Sequence, residues 1–240
     1  MTGADETGAP YTALDPALLR ELGGIDTCTI ANAIEVTGVR LRNEGYADST
    51  VACLLPELPP AVGYAFTLRV RTNDPPIDGG DFVDRVDWWD HLLAVPPPRI
   101  LVVEDVHAEP GTGSFLGEVH ASVYRALGCA GIVTNGAVRD LGGLERLGFP
   151  AFAGHVAVSH AYAHIIEFGV PVTVGGLEVA PGELMHGDRH GVLAIPIAVA
   201  AALPGIVARN RARERAIIDY CRSPERTVAG LKALLQQGRP

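Results

Sequence analysis

Lysine is nearly missing from this chain. Of 240 residues, the one lysine is Lys232, near the C-terminus, so almost every basic side chain is arginine. A Schiff-base chemistry built on a buried amine therefore has no residue in the body of the chain to work with. Positive charge is short overall: 19 basic residues against 28 acidic ones give a net charge of −9. Such a balance repels phosphate backbones, and no nucleic-acid partner is expected. The richest basic stretch, Arg209, Arg211, Arg213 and Arg215, is interleaved with Glu214 and alanine. It reads as a solvated helix face or a subunit contact. Cysteine pairs are absent too. Cys28, Cys53, Cys129 and Cys221 are scattered without CxxC spacing beside apolar residues, which predicts reduced, buried thiols and a cytoplasmic location rather than disulfides or zinc. No apolar run reaches the ~20 residues of a membrane span. Val192–Ala208 comes nearest, but Pro196, Pro204 and Gly205 punctuate it. No basic start leads into an apolar stretch, so no signal peptide and no membrane partner are expected. Aromatics are sparse at 6%, so aliphatic side chains must fill the core.

What is present is an ordinary globular balance, 48% hydrophobic and 20% charged, enough for one substantial core. There are no internal repeats and no low-complexity segments. Residues 1–12 read as a flexible arm. Asp15 and Pro16 cap and open a helix towards Gly23, and Asp26 or Thr27 caps a second that runs to Gly38. Gly63–Arg71 alternates as a strand. An acidic amphipathic helix from Asp81 carries Trp88, Trp89 and His91 and is stopped by Pro96–Pro98, and Trp88–Trp89 read as packing or interface residues, with substrate stacking as the alternative. Arg99–Asp105 reads as a buried strand. A loop at Pro110–Ser114 precedes a helix over Gly117–Leu127, a strand over Gly131–Thr134, a helix over Arg139–Leu147 and a strand over Pro150–Ala153. This alternation argues for an α/β layer structure. Past Val170 the chain becomes β-rich, and from Leu203 it is helical with a break at Ser223–Pro224. The expected division is a catalytic domain over 13–203 and a helical extension over 204–240.

Two turns could carry chemistry. Thr134–Asp140 follows a strand and opens a helix, and ligands of open α/β sheets collect at the carboxyl ends of strands. Asp140 there is either a helix cap with Arg139 paired to a nearby acid, or a hard-cation ligand with Arg139 holding a substrate carboxylate. Gly117–Glu118 opens the preceding helix, where the amides of Val119 and His120 could meet an anion. Both helix starts would face one crevice.

Glu118 is followed by twenty residues and then Arg139-Asp140, inside GEVHASVYRALGCAGIVTNGAVRDLGGLERLGFPAFA. This segment resembles the signature of the RraA-like family, and the later PGELMHGDRHGVLAIP resembles its closing pattern. The likeness covers roughly residues 25–200. The family holds class II 4-hydroxy-4-methyl-2-oxoglutarate/4-carboxy-4-hydroxy-2-oxoadipate aldolases and the regulator of ribonuclease E activity. The resemblance implies a compact α/β sandwich, a central sheet flanked by helices with further helices at the C-terminus, assembled as a homotrimer or homohexamer. It implies that Asp140 ligates Mg²⁺ or Mn²⁺ and that Arg139 holds the carboxylate of a 2-oxo acid. The Gly117–His120 turn (Gly117, Glu118, Val119, His120) would contact that acid. Glu118, where the aldolases often carry aspartate, would orient or activate a water on the metal. The implied reaction is metal-assisted retro-aldol cleavage of a 4-hydroxy-2-oxo acid through pyruvate enolate, with oxaloacetate decarboxylation as a side activity. A non-catalytic binding protein, or a lyase, hydratase or isomerase acting on another acid, are the alternatives. No glycine-rich nucleotide loop follows the first strand, so a methyltransferase is not expected.

The histidines depart from the aldolases. His160 and His164 are spaced i, i+4, but Ala161 stands where a zincin needs glutamate. His186 and His190 lie in HGDRH. These late histidines hydrogen-bond backbone or line an interface, or else His160, His186 and His190 help select the substrate.

Overall fold

A computed structural model describes residues 11, 13–76, 86 and 88–236. Most of the expected N-terminal arm, and positions 81–85 and 87 of the expected acidic helix, lie outside the described residues. The described elements are α1 (Pro16–Gly23), α2 (Thr27–Thr37), β1 (Ala52–Cys53), β2 (Ala61–Arg71), α3 (Trp89–Ala94), β3 (Arg99–Asp105), β4 (Ser114–Leu116) and α4 (Glu118–Ala126). They continue with β5 (Cys129–Val138), α5 (Leu141–Leu147), β6 (Ala151–Val156), β7 (His164–Phe168), β8 (Val172–Val174), β9 (Leu177–Val179), β10 (Leu184–Asp188), β11 (Gly191–Ile195), α6 (Ile197–Ala200), α7 (Leu203–Arg222) and α8 (Val228–Gln236).

Both expected caps form. Asp15 accepts the Ala17 N–H at 2.7 Å, with Pro16 in the first turn, and Asp26 accepts the Thr29 N–H at 2.8 Å. The α2 helix ends at Gly38, whose φ of 66° suits a residue without Cβ.

The main sheet runs β1-β6-β5-β3-β2-β10-β11, with β4 added beside β5 and β7 beside β2. Its centre, β2-β3-β5-β6, is parallel. Parallel neighbours need crossovers, and right-handed crossovers wound in one direction put their helices on one face. Tyr64, Phe66, Leu68, Leu101 and Val103 point into that helical face. The alternate residues Ala65, Ile100 and Val102 meet Val172, Val174, Leu177 and Val179 of the β8–β9 hairpin on the other face. With both faces covered, even Thr67 of the expected alternating strand is buried.

The first turn of α7 is rooted in this core through Leu203, Ile206 and Val207, while Arg209, Arg211, Arg213 and Arg215 are exposed. The expectation of four buried thiols fails. Cys28 and Cys221 are exposed on helix faces turned to solvent, Cys53 is half-buried, and only Cys129 is buried. Among the described residues no helix is long and apolar enough to cross a membrane.

His186 ties β10 to the α1–α2 corner. It is fully buried, with Nδ1 3.1 Å from Thr27 Oγ1 and Nε2 3.2 Å from the Leu22 carbonyl. A carbonyl only accepts, so Nε2 carries the proton and Nδ1 accepts from the Thr27 hydroxyl. Burial holds this imidazole below its ordinary pKa, in spite of opposing pulls from Leu22 and Asp188. The unfolded chain therefore binds a proton that the folded one refuses as pH falls below about 6.5, and stability drops with acid. Melting between pH 7 and 5 should show a loss of up to about 1.4 kcal/mol per pH unit from this residue. His186→Gln should flatten that slope, and an unchanged slope would remove His186 as its source.

Candidate functional site

Two strand-to-helix turns lie side by side. β4 pairs in parallel with the end of β5, Ser114 opposite Ala137 and Leu116 opposite Val138, and the Arg139 N–H donates to the Leu116 carbonyl at 2.9 Å. The starts of α4 and α5 are thereby neighbours, as the two motifs predicted. The expected loop over Thr134–Asp140 is shorter than that, because β5 continues through Val138. Its register with β6 shifts between Thr134 and Ala137. There the Asn135 side chain brackets the Asp105 backbone, accepting its N–H at 2.7 Å and donating to its carbonyl at 3.0 Å. Asp105 is itself buried and accepts from Thr72 Oγ1, the His107 N–H and the Gly111 N–H, fixing the loop after β3.

Asp140 occupies the N-cap position of α5, yet its side chain makes no cap bond there. Its φ of 57° and ψ of 41° are left-handed, a conformation that aspartate adopts more readily than most residues. This turn aims the carboxylate at the other helix, where Oδ2 accepts the Glu118 N–H at 3.1 Å and lies 3.6 Å from Arg139 Nε. Gly117 is what makes room: a Cβ there would sit 2.5 Å from Asp140 Oδ2 and 3.0 Å from Arg139 Nε.

Glu118 joins the group through its amide. Its carboxylate turns away, both oxygens 3.3 Å from Arg146 Nη2, and lies over Gly143. Val119 is exposed on the solvent side of α4. Gly117 and His120 line a cleft with Arg139 and His160, so the structure brings these four sequence candidates together. His160 is not helical: it sits in the turn before β7, which Ser114 anchors by donating to the Ser159 carbonyl at 2.9 Å. Its Nδ1 lies 2.8 Å from the Ala161 carbonyl, leaving Nε2 as the acceptor of the neutral ring.

His186 and His190 are not brought to the cleft. His186 lies on β10, beyond β2 from β5, and His190 lies in the turn that follows it. His186 is committed to Thr27 and Leu22, and His190 Nδ1 lies 3.0 Å from Asp188 Oδ1. Burial alone would raise the Asp188 carboxyl, but donation from Thr27 and His190 outweighs it and holds the group below its usual range. HGDRH is thus a structural tie.

Sequence reasoning missed Phe115, Tyr124 and Ile165, which also line the cleft. Trp88, for which substrate stacking is the alternative reading, lines it with them. Burial pushes the Tyr124 hydroxyl well above its ordinary pKa, so it stays neutral. The available signal was periodicity, since Gly117, His120 and Tyr124 fall at i, i+3 and i+7 and must share one helix face.

A family model described as RraA-like, Aldolase/RraA, matches residues 27–194. A protein of Halalkalibacterium halodurans named "Putative 4-hydroxy-4-methyl-2-oxoglutarate aldolase" is 34% identical over 113 residues, 45% of this chain and 54% of that protein. One of the same name from Ectopseudomonas mendocina is 35% identical over 107 residues, 42% of this chain and 62% of that protein. The matches span little more than half the length of these curated relatives. Among solved structures, an uncharacterized protein from Pseudomonas syringae pv. tomato superposes with a TM-score of 0.71 at 21% identity, over 97% of this chain and 99% of that one. Streptomyces coelicolor RraAS2, described as an unusual member of the RNase ES inhibitor RraA protein family, gives 0.67 at 25% identity, over 86% and 98%.

Proposed function

Because the chain belongs to the RraA-like family, we propose that it is a divalent-cation-dependent lyase that cleaves a 4-hydroxy-2-oxo acid and releases pyruvate. The observation that carries this reading is the left-handed Asp140, whose carboxylate is turned out of its own helix cap towards Arg139 and the start of α4.

Among the described residues no three His, Cys, Asp or Glu side chains converge on one point. That argues against a closed zinc cage. One carboxylate completed by substrate oxygens and water is a donor set that Mg²⁺ or Mn²⁺ accepts. Asp140 would hold the cation, which when bound supplies a Lewis acid for the negative charge that develops as the bond breaks.

The remaining work falls to the chain. Arg139 offers a planar fork to the carboxylate of the 2-oxo acid. Glu118 accepts the C4 hydroxyl proton through a water. Its pairing with Arg146 is no obstacle, since both side chains are largely exposed and such pairs are worth about 0–1 kcal/mol. The C3–C4 electron pair moves to C3 as the C4 carbonyl forms, and water then protonates the pyruvate enolate at C3. Oxaloacetate would lose CO₂ to the same enolate.

The test is pyruvate release from oxaloacetate and from 4-hydroxy-2-oxo acids with Mg²⁺ or Mn²⁺, repeated with excess EDTA. Release that EDTA stops supports the lyase. No release in either condition favours a binding role, a reading prompted by the similarity to RraAS2. Arg139→Ala should raise KM about 100-fold, on the order of the 1.5–3 kcal/mol of a charge-assisted hydrogen bond, with a smaller change in kcat.

A further inference from the structure

His160 is exposed, yet its turn is tightly fixed. The Ala163 N–H donates to the His160 carbonyl at 2.9 Å, the Ala161 N–H to Ser159 Oγ at 3.0 Å and the Tyr162 N–H to the Thr72 carbonyl at 3.2 Å. Ala161 holds a left-handed φ of 46°, which a residue with a Cβ keeps only where its surroundings over-determine it. Gly113 packs directly against this turn. A Cβ there would lie 2.5 Å from the His160 carbonyl oxygen and 2.8 Å from Ala161 Cβ. The imidazole is pinned in its turn, with Nδ1 2.8 Å from the Ala161 carbonyl. β4 then ties this wall of the cleft to the other. The Ser114 N–H holds the Ser159 carbonyl at 2.9 Å, and the Leu116 carbonyl accepts the Arg139 N–H, also at 2.9 Å. Backbone strain gathers where a side chain must be aimed, and the side chain aimed here lines the cleft together with Arg139.

Resting on the lyase reading, we propose that His160 is the proton source for C3 of the pyruvate enolate, acting through a water that its Nε2 holds in the cleft. A carbonyl only accepts, so Nδ1 keeps its proton in both charge states of the ring. The proton that comes and goes is the one on Nε2. The enclosed part of the cleft measures about 40 Å³, room for about three waters at roughly 10–15 Å³ each. A water on Nε2 therefore lies within a molecule or two of an acid whose carboxylate Arg139 holds. As the C4 carbonyl forms, the C4 hydroxyl proton leaves through water to Glu118 and the C3–C4 electron pair moves to C3. The held water gives C3 a proton and takes the Nε2 proton, which leaves pyruvate and a neutral ring. Solvent reaches the exposed imidazole and returns a proton to it as Glu118 releases one. Imidazole suits this work because it gives and takes protons near neutral pH. The other ionisable groups among the described lining residues are Arg139, His120 and Tyr124. His120 stacks on Tyr124 at 6.0 Å, and burial keeps the Tyr124 hydroxyl neutral.

Pyruvate alone tests this, without any carbon–carbon cleavage. The intact protein is incubated with pyruvate and Mg²⁺ in D₂O, and loss of the methyl proton signal is followed by NMR, because each cycle of enolisation and reprotonation exchanges a C3 proton. Pyruvate binding is read separately by tryptophan fluorescence. His160→Gln should slow exchange about 100-fold, the low end of what general acid–base catalysis supplies, with pyruvate Kd and melting temperature unchanged. His160→Ala should lose as much and recover part of it when imidazole is added. His164→Gln, on β7 and away from the cleft, should exchange at the parent rate. Parent-like exchange by His160→Gln, or a loss matched by equally weakened pyruvate binding, would overturn the proton role. The lyase reading would stand as long as the parent protein releases pyruvate from a 4-hydroxy-2-oxo acid. A parent protein that neither cleaves nor exchanges would overturn the lyase reading, and the proton role of His160 with it.

Discussion

Asp140→Asn is expected to lower cation-dependent pyruvate release at least 100-fold while leaving the melting temperature nearly unchanged. Asparagine keeps an acceptor oxygen for the Glu118 N–H and tolerates the left-handed backbone that Asp140 adopts at φ 57°. It loses the negative charge, which is the property a hard cation requires. The loss of charge is therefore separated from the loss of fold. Alanine does not separate them. It keeps the Cβ that disfavours this conformation but loses the short polar side chain that lets aspartate and asparagine adopt it, and the missing hydrogen bond to a carboxylate adds roughly 1.5–3 kcal/mol. Asp140→Ala should be inactive and also clearly destabilised. Turnover with added Mg²⁺, read beside thermal melting, checks both variants. Full activity in Asp140→Asn would sink the cation role, whatever alanine does.

Much of the scaffold was legible because its signals are local. Asp15 and Asp26 cap their helices within three residues, and Arg99–Asp105 is a buried strand that its own apolar run announces. The two helix starts were legible for the same reason, Gly117 and Glu118 at the first strand-to-helix turn and Arg139 and Asp140 at the second. What stayed hidden depends on partners far away in sequence. Asn135 and Gly136 look like turn residues, yet they lie within β5 because Asn135 satisfies the backbone of Asp105, 30 positions earlier. His186 resembles a site residue in HGDRH, and only the fold supplies Thr27 and Leu22, 159 and 164 positions distant. Trp88 reads as packing and is packing, but the same ring also closes the cleft. The Glu118 side chain could not be oriented from sequence, because Arg146 competes for it across the α4–α5 contact.

Gly117 shows how a residue with no functional group can govern such a site. Its φ of −131° and ψ of −173° are ordinary extended values, so alanine meets no backbone strain and would narrow the unfolded ensemble slightly. The obstacle is purely one of space: the new methyl would lie 2.5 Å from Asp140 Oδ2 and 3.0 Å from Arg139 Nε. The Asp140 side chain is short and held by the Glu118 amide, so it cannot swing clear without moving the carboxylate. Displacements near 1 Å can lower turnover about 100-fold when orientation carries the reaction. Gly117→Ala should therefore lose about that much kcat/KM while its stability changes by less than about 1 kcal/mol. Gly143→Ala is the matched control. Its methyl would also fall 2.5 Å from a side-chain carbon, but that atom belongs to Glu118, in a largely exposed pair with Arg146 that can yield. A milder loss there than at Gly117 shows that Asp140 and Arg139 tolerate displacement less than Glu118, which works through a water. An equal loss in both would mean that the Glu118 carboxylate needs its present position as much as Asp140 does, and a fully active Gly117→Ala would mean that neither Asp140 nor Arg139 is held where the reaction needs it.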